Sequence, residues 1–375
     1  MNKVLFVATV DSHIKQFHMP YLKWFKDNGY EVHVATNSDE PIEFCDKKHC
    51  IAMGRNPLKI SNIKAIKQLK TIIEQEKIQI IHCHTPVGAA VTRIAAKKAR
   101  KHIGTKVIYT AHGFHFYKGA PIINWLIFYP IEKILARLTD CIITINQEDY
   151  EIAKNKFHAK RIEYVNGVGV ITDRLEVNFS KEQIKNKKQE LNISEENIVL
   201  TYVAELNENK NQQFLIEIMQ ELIKEKSDIT LLLVGDGVKK EDYQKMIQEK
   251  NLDTHIKLLG YRKDIGEILA ITDICTASSL REGLPINIIE CMYMGIPIVA
   301  TNNRGHRELV KNGENGYIIE IGNKEQYIEK IKNLIEEPSL RKSMGEKSHE
   351  MAKTYTIEKV MQEMEKIYRE IINTK

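Results

Sequence analysis

Short apolar segments, each followed by an amphipathic stretch of helical period, recur along most of this chain, and that alternation leaves few folds open. Strands are expected at 3–9, 31–36, 79–84, 106–110 and 141–145, with helices between them. A strand–helix–strand rhythm of this kind builds a mainly parallel sheet covered by helices on both faces. The rhythm pauses at VNGVGVITDRL (165–175), a turn-rich stretch followed by polar Lys/Glu/Asn sequence as far as Asn197. It resumes with strands expected at 198–204, 229–234, 255–259, 273–277, 297–301 and 316–319. The expectation is an α/β protein of two doubly wound, Rossmann-like parallel-sheet domains facing a cleft, residues 1–170 and 171–355. A last segment, 356–375, reads as one amphipathic helix carrying Ile357, Val360, Met364, Ile367 and Ile371. In open parallel sheets ligands bind beyond the carboxyl ends of the strands, so chemistry is sought just after each strand.

Composition narrows the class. Of 375 residues, 43% are hydrophobic and 28% charged, an ordinary globular balance with apolar mass for two cores. The six cysteines are scattered with no CxxC pair, which argues against a zinc site or a disulfide framework. The first apolar run meets Asp11 too early for a signal peptide, and the longest, IINWLIFYPI (122–131), is about half a membrane span. The net charge of +5 is uneven: residues 1–172 hold 25 Lys and Arg against 15 Asp and Glu, the remainder 30 against 35. The surplus concentrates between Arg55 and Lys118, with 13 basic and 2 acidic residues. There Ile60, Ile63, Ile66 and Ile73 fall at helical spacing, with Lys59, Lys64, Lys67 and Lys70 on the other faces. Such a face is either merely solvated or attracted to an anionic surface. Without a recognition motif or interleaved aromatics, a membrane is the better partner than nucleic acid.

Several motifs follow strands. VGDG (234–237) places Gly235 and Gly237 where backbone approaches a ligand or turns tightly. TAHGFHFYKG puts His112 beside Gly113 at a strand end, as a site imidazole or a structural one. HExxH, GxxxxGK[ST] and a GxGxxG after the first strand are all missing, which removes the usual dinucleotide and P-loop readings. The richest stretch is SSLREGLPINIIECMYMGIPIVAT (278–301). Its two carboxylates, Glu282 and Glu290, have no lysine nearby in sequence. Glu282 lies in the loop before a helix, with Pro285 suited to the first turn and Glu290 about one and a half turns inside. A carboxylate accepts two hydrogen bonds side by side, which matches a vicinal diol, and a helix start receives a phosphate. The order of parts is that of a nucleotide sugar: hexose, diphosphate, ribose. The plainer alternatives are an exposed loop charge for Glu282 and a distant arginine partner for Glu290.

EGLPINIIE resembles the E-x7-E signature of retaining GT-B glycosyltransferases of family 4, and the likeness extends through HTPVGAAVTRIAA, YTAHGFHFYKGAP, ITINQEDYEIA, VNGVGV, ELNENKNQ, LLLVGDG and LGYRKDI. The bacterial capsular and exopolysaccharide branch is the most similar. The resemblance implies transfer of a hexosyl or N-acetylhexosaminyl unit with retention, from a nucleotide sugar (a UDP-sugar is expected), without a metal ion or other cofactor. It places the donor on the second domain and the acceptor on the first, with the final helix returning to the first domain. It implies catalytic roles for His112, Glu282 and Lys210. Donor contacts are implied at Glu205, Gly235, Tyr261, Arg262, Arg281, Gly283, Leu284, Pro285 and Glu290, and acceptor contacts at Ser12, His13 and His84. Two departures stand out. The usual GRLxxxKG reads AELNENKN, so Glu205 takes the arginine position: either another cation substitutes, Arg281 and Arg262 being the nearest in sequence, or Glu205 does a different job. The usual N-terminal double glycine reads DSH (11–13).

The acceptor implied is a saccharide or lipid-linked saccharide in cell-surface polysaccharide synthesis, met at the inner face of the cytoplasmic membrane. PIINWLIFYPIEKILARL (121–138) is expected either to help there, its Trp125, Phe128, Tyr129 and Lys133 dipping among head groups, or to be simply core, with the lysines only keeping the protein soluble. Two other classes remain open: a UDP-N-acetylglucosamine 2-epimerase, which needs no acceptor, and a non-catalytic sugar-nucleotide sensor, for which Glu205 is the only support. An NAD oxidoreductase lacks its phosphate fingerprint. Which sugar moves, to what acceptor, and in what oligomeric state are not written in the sequence.

Overall fold

The computed structural model describes residues 2–57, 59–176 and 179–373, which divide into two compact units, Met1–Gly169 with Glu358–Lys375, and Val170–Ile357. In the first, β1 (Lys3–Val7), β2 (Glu31–Thr36), β3 (Lys47–Cys50), β4 (Ile80–Cys83), β5 (Lys106–Ala111), β6 (Cys141–Thr144) and β7 (Arg161–Tyr164) form one sheet. Their order is β3-β2-β1-β4-β5-β6-β7, and every pairing is parallel. In the second, β8 (Ile198–Val203), β9 (Ile229–Val234), β10 (Ile256–Gly260), β11 (Ile274–Ala277), β12 (Ile298–Thr301) and β13 (Gly316–Ile319) are ordered β10-β9-β8-β11-β12-β13, again all parallel. Both are doubly wound, Rossmann-like sheets. Strands covered on both faces read as apolar runs without alternation, and β4, β6, β9, β11 and β12 are buried at every residue. The two strands that hydropathy missed, KKHC of β3 and RIEY of β7, are polar because they are the edges of the first sheet.

Strand order reverses between β1 and β4 in one sheet and between β8 and β11 in the other. At such a switch point the flanking loops part and leave room for a ligand.

The last helix, Ile357–Asn373, buries Val360, Met364, Ile367, Tyr368 and Ile371. It packs on the first unit. The Tyr368 ring stacks on Trp24 at 5.3 Å and its hydroxyl lies 2.8 Å from His82 Nδ1, while Arg161 pairs with Glu370 at 2.6 Å.

Two helices of the first unit turn differently from the sequence expectation. Ser61–Glu76 buries Asn62, Ala65, Leu69 and Ile73, so Ile60 and Ile63 face outward and only Ile73 of the four isoleucines is core. In Ile122–Ala136, Trp125, Phe128 and Tyr129 pack against the core instead of presenting an aromatic rim, and Ile122, Ile123, Leu126 and Ile134 are exposed in their place. A buried ion pair sets that rotation: Arg93 on the helix Pro86–Ala95 holds Glu132 through two bonds of 2.8 and 3.1 Å. No helix among the described residues is long and apolar enough to cross a membrane.

Candidate functional site

The loops leaving β8 and β11 are stitched together at the switch point of the second sheet. The Ser278 hydroxyl reaches the carbonyls of Lys210 and Asn211 at 2.8 and 2.9 Å. The Leu280 N–H donates to the Asn209 carbonyl at 2.8 Å, and the Asn209 amide returns a bond to the Arg281 carbonyl at 3.0 Å. This backbone frame carries Lys210 to Glu282, Nζ to Oε1 at 2.5 Å. Glu282 is therefore neither an isolated loop charge nor unpaired; its lysine comes from 72 residues earlier in the chain.

Glu290 is buried within the helix Ile286–Tyr293 and ion-paired with Arg174, the distant-arginine alternative of the sequence. Burial raises its pKa above the usual carboxylate range, and Arg174 opposes the rise without cancelling it. Pro285 caps that helix one residue ahead of the first turn and offers no side-chain bond. The N–H groups at the helix start are thus left for a ligand or water beside Gly283 and Leu284.

One contributor escaped the sequence reading. The helix Arg304–Leu309 packs its Gly305 on the EGLP loop, where any β-carbon would stand 2.7 Å from Cβ of Glu282. The neighbouring Arg304 is buried and donates from Nε to the Glu282 carbonyl at 3.2 Å. Its signal was NNRGH, an asparagine cap before Arg-Gly at a strand end.

The side chains of other expected donor residues are turned elsewhere or serve packing. Arg262 is engaged by Asp264, at 2.7 and 2.5 Å, and by Glu190 at 3.0 Å. Tyr261 and the Arg281 and Glu205 side chains are exposed. Gly235 and Gly237 serve packing: a β-carbon on either would overlap a carbonyl oxygen, of Ala204 or of Leu206.

At the switch point of the first sheet the Thr9 and Thr85 hydroxyls join the loops after β1 and β4 at 2.8 Å. Asp11 begins the helix Asp11–Phe17 and is held by Lys48 at 2.9 Å and by Thr36 and Ser38. Ser12 is exposed, and His13 turns inward to His112, Nε2 to Nε2 at 3.2 Å. His112 Nε2 lies 3.5 Å from His84 Nδ1. Burial lowers the pKa of His13 to about 4 and those of His84 and His112 well below the normal value, so all three are neutral imidazoles at pH 7.

Two parallel-sheet units of this kind, each with its loops gathered at a switch point, are the two units of the GT-B fold. Residues 183–351 match the family model described as glycosyl transferases group 1, and residues 3–146 the one described as glycosyl transferase 4-like. EpsD of Bacillus subtilis (strain 168) is 43% identical over 98% of this chain and 96% of its own length. An Escherichia coli UDP-Gal:alpha-D-GlcNAc-diphosphoundecaprenol alpha-1,3-galactosyltransferase is 27% identical over 86% of this chain and 83% of its own. The crystal structure of HepE of Anabaena in complex with UDP and glucose superposes with a TM-score of 0.80 at 19% identity, covering 99% of this chain and all of that one. The chain belongs to the group 1, family 4 glycosyltransferases.

Proposed function

We propose that the protein moves a sugar, with retention, from a UDP-sugar to a lipid-linked saccharide during cell-surface polysaccharide synthesis. The observation that carries the reading is the Lys210–Glu282 pair, set beside an uncapped helix start at the switch point of the second sheet. Breaking the anomeric C–O bond puts positive charge on the sugar and negative charge on the departing diphosphate. Lys210 and the N–H groups after Pro285 are aligned to receive that negative charge before it forms, which is the most effective kind of electrostatic catalysis. Glu282 accepts hydroxyls of the donor sugar and Glu290 the ribose diol, with the backbone of Gly283 and Leu284 along the sugar and diphosphate. Arg304 is the second cation that Glu205 cannot be, and the neutral His112 donates a hydrogen bond to the donor. Ser12, His13 and His84 are assigned to the acceptor.

The lipid half of the acceptor has support in the first unit. A cavity of about 740 Å³ is lined by Ile60, Ile63, Ile94, Ile127 and Ile131 and by Arg55, Lys59 and His13. An isoprenoid chain would fill the apolar wall while the basic residues face its diphosphate. The E. coli relative, by its name, acts on a diphosphoundecaprenol-linked sugar. The exposed isoleucines beside exposed Lys64 and Lys67 suit peripheral contact with an anionic membrane.

Thermal stabilisation across a panel of nucleotide sugars, followed by transfer from the best of them to a polyprenyl-diphosphate saccharide, tests the reading. A UDP-sugar at about a hundred times its Kd adds about 2.7 kcal/mol. Stabilisation by GDP- or ADP-sugars alone would remove the donor assignment, and epimerisation without acceptor would favour the epimerase.

A further inference from the structure

Four histidines gather where the strands of the first sheet reverse order. We propose that His13, His18, His84 and His112 form a binding site for one divalent transition-metal ion, Zn2+ being the natural occupant. Each offers a ring nitrogen, and the four nitrogens lie within 4.8 Å of one another. Zn–N bonds of about 2.0–2.1 Å place tetrahedral ligands about 3.3–3.4 Å apart. The two distances His112 Nε2 makes, 3.2 Å to His13 Nε2 and 3.5 Å to His84 Nδ1, match that edge. One ring nitrogen cannot donate a single proton to both neighbours, whereas an ion among them accepts all three lone pairs.

The second observation is what one of these rings lacks. Both ring nitrogens of His18 are buried without a hydrogen-bond partner, and the residue is 1% exposed. Orphaned buried nitrogens are costly. The adjacent His82 is equally buried yet fully satisfied, by Tyr368 and Thr110 at 2.8 Å each, so burial alone does not strand an imidazole here. His18 stacks on His84 with centroids 3.7 Å apart, and a turn of its ring out of that stack supplies the fourth ligand. An all-imidazole set suits zinc, copper or nickel and is wrong for magnesium or calcium. Burial keeps all four rings below the normal imidazole pKa, so no proton need be displaced.

The functional consequence rests on the transferase reading. An ion at this site takes the Nε2 lone pair of His112 and fixes its ring, so occupancy slows transfer. The site is a brake, not a catalytic metal.

The test is titration of the full-length protein with Co2+ and then Zn2+. The expected result is one equivalent of Co2+ with the strong visible bands of a four-coordinate ion, displaced by Zn2+. His18→Asn and His84→Asn should each weaken Zn2+ by at least about tenfold to a hundredfold. His102→Asn, at an exposed histidine of the same unit, should leave binding unchanged. A pale six-coordinate Co2+ spectrum, or equal effects of His18→Asn and His102→Asn, would overturn the site. If the buried variants do not fold, X-ray absorption on the wild-type zinc complex decides by counting imidazoles, and a water-dominated shell refutes it. Transfer indifferent to one bound equivalent of Zn2+ would remove the coupling to His112. The cobalt spectrum needs no substrate, so failure of the transferase reading leaves this test intact.

Discussion

Glu282 and Glu290 are held in opposite ways, and their substitutions should separate accordingly. Glu282 is paired with Lys210, next to the bond proposed to break. Lys210→Ala should lower kcat by about a hundredfold to a thousandfold, the range for deleting one preorganised electrostatic group. Glu282→Gln should also act mainly on kcat, since it removes a contact felt in the transition state. Glu290 is buried with its pKa raised, so its charged form is a load on the fold at neutral pH. Glu290→Gln should therefore leave Tm unchanged or higher while raising the donor KM by about tenfold, near 1.4 kcal/mol. Steady-state kinetics with melting curves checks both, and matching kinetic profiles for the two glutamine variants would undo the assignment. The sequence suggested that these carboxylates matter but hid their partners, because Lys210 and Arg174 stand 72 and 116 residues away.

At the scale of elements, apolar periodicity revealed that helices exist and misjudged which way some of them face. Helix 61–76 was read by its isoleucines, but the buried side is set by Asn62, whose side chain bonds Gly54 and Asn56, and by Leu69. Helix 122–136 is apolar nearly all round, so nothing in its pattern identifies the outward face; the Arg93–Glu132 pair does. That outward face carries a prediction. Ile123 and Leu126 are 53% and 67% exposed, so Ile123→Glu with Leu126→Glu should fold normally. Burying such a side chain fully is worth about 1.5–3 kcal/mol, so losing two should cut binding to anionic liposomes at least about tenfold. Replacing Lys64, Lys67 and Lys70 with Glu should weaken the same binding and its salt dependence. Sedimentation with vesicles measures it, and binding indifferent to both sets would leave a protein that meets its acceptor without the membrane.

For the whole molecule, the alternation of segments pointed to parallel sheets with ligands beyond the strand ends, which is why motifs after strands were worth reading; the strand order that fixes the two switch points is set by pairing between distant segments. The histidine cluster was not legible. Its members span residues 13 to 112, and only the reversal between β1 and β4 brings them together. If that cluster brakes transfer when occupied, EDTA should leave turnover unchanged or raise it; loss of turnover restored by Mg2+ or Mn2+ would contradict both the donor chemistry and the brake.

Acid stability supplies a prediction that involves both units. His82 in the first and His306 in the second are buried, and burial lowers their pKa values to about 3 and about 4. An unfolded histidine titrates near 6.5, so between that pH and the folded value the unfolded chain binds the extra proton. Stability from these residues is therefore full above pH 6.5 and falls as pH drops, by about 1.4 kcal/mol per unit for each. From pH 8 to pH 5 these two cost about 4 kcal/mol together, and the lowered pKa values of His13, His18, His49, His84 and His112 add to the loss in the same direction. Carboxylates held below their normal pKa, such as Asp11 and Asp140, lose their contribution only as pH falls below their unfolded values near 4, so they are silent in this window. Melting curves from pH 8 to pH 5 should show Tm falling steadily once pH passes 6.5. In His306→Gln the slope assigned to the second unit should flatten, even if the variant starts from a lower Tm. A wild-type Tm constant across that range would mean that both imidazoles take up protons inside the fold, against the burial that surrounds them.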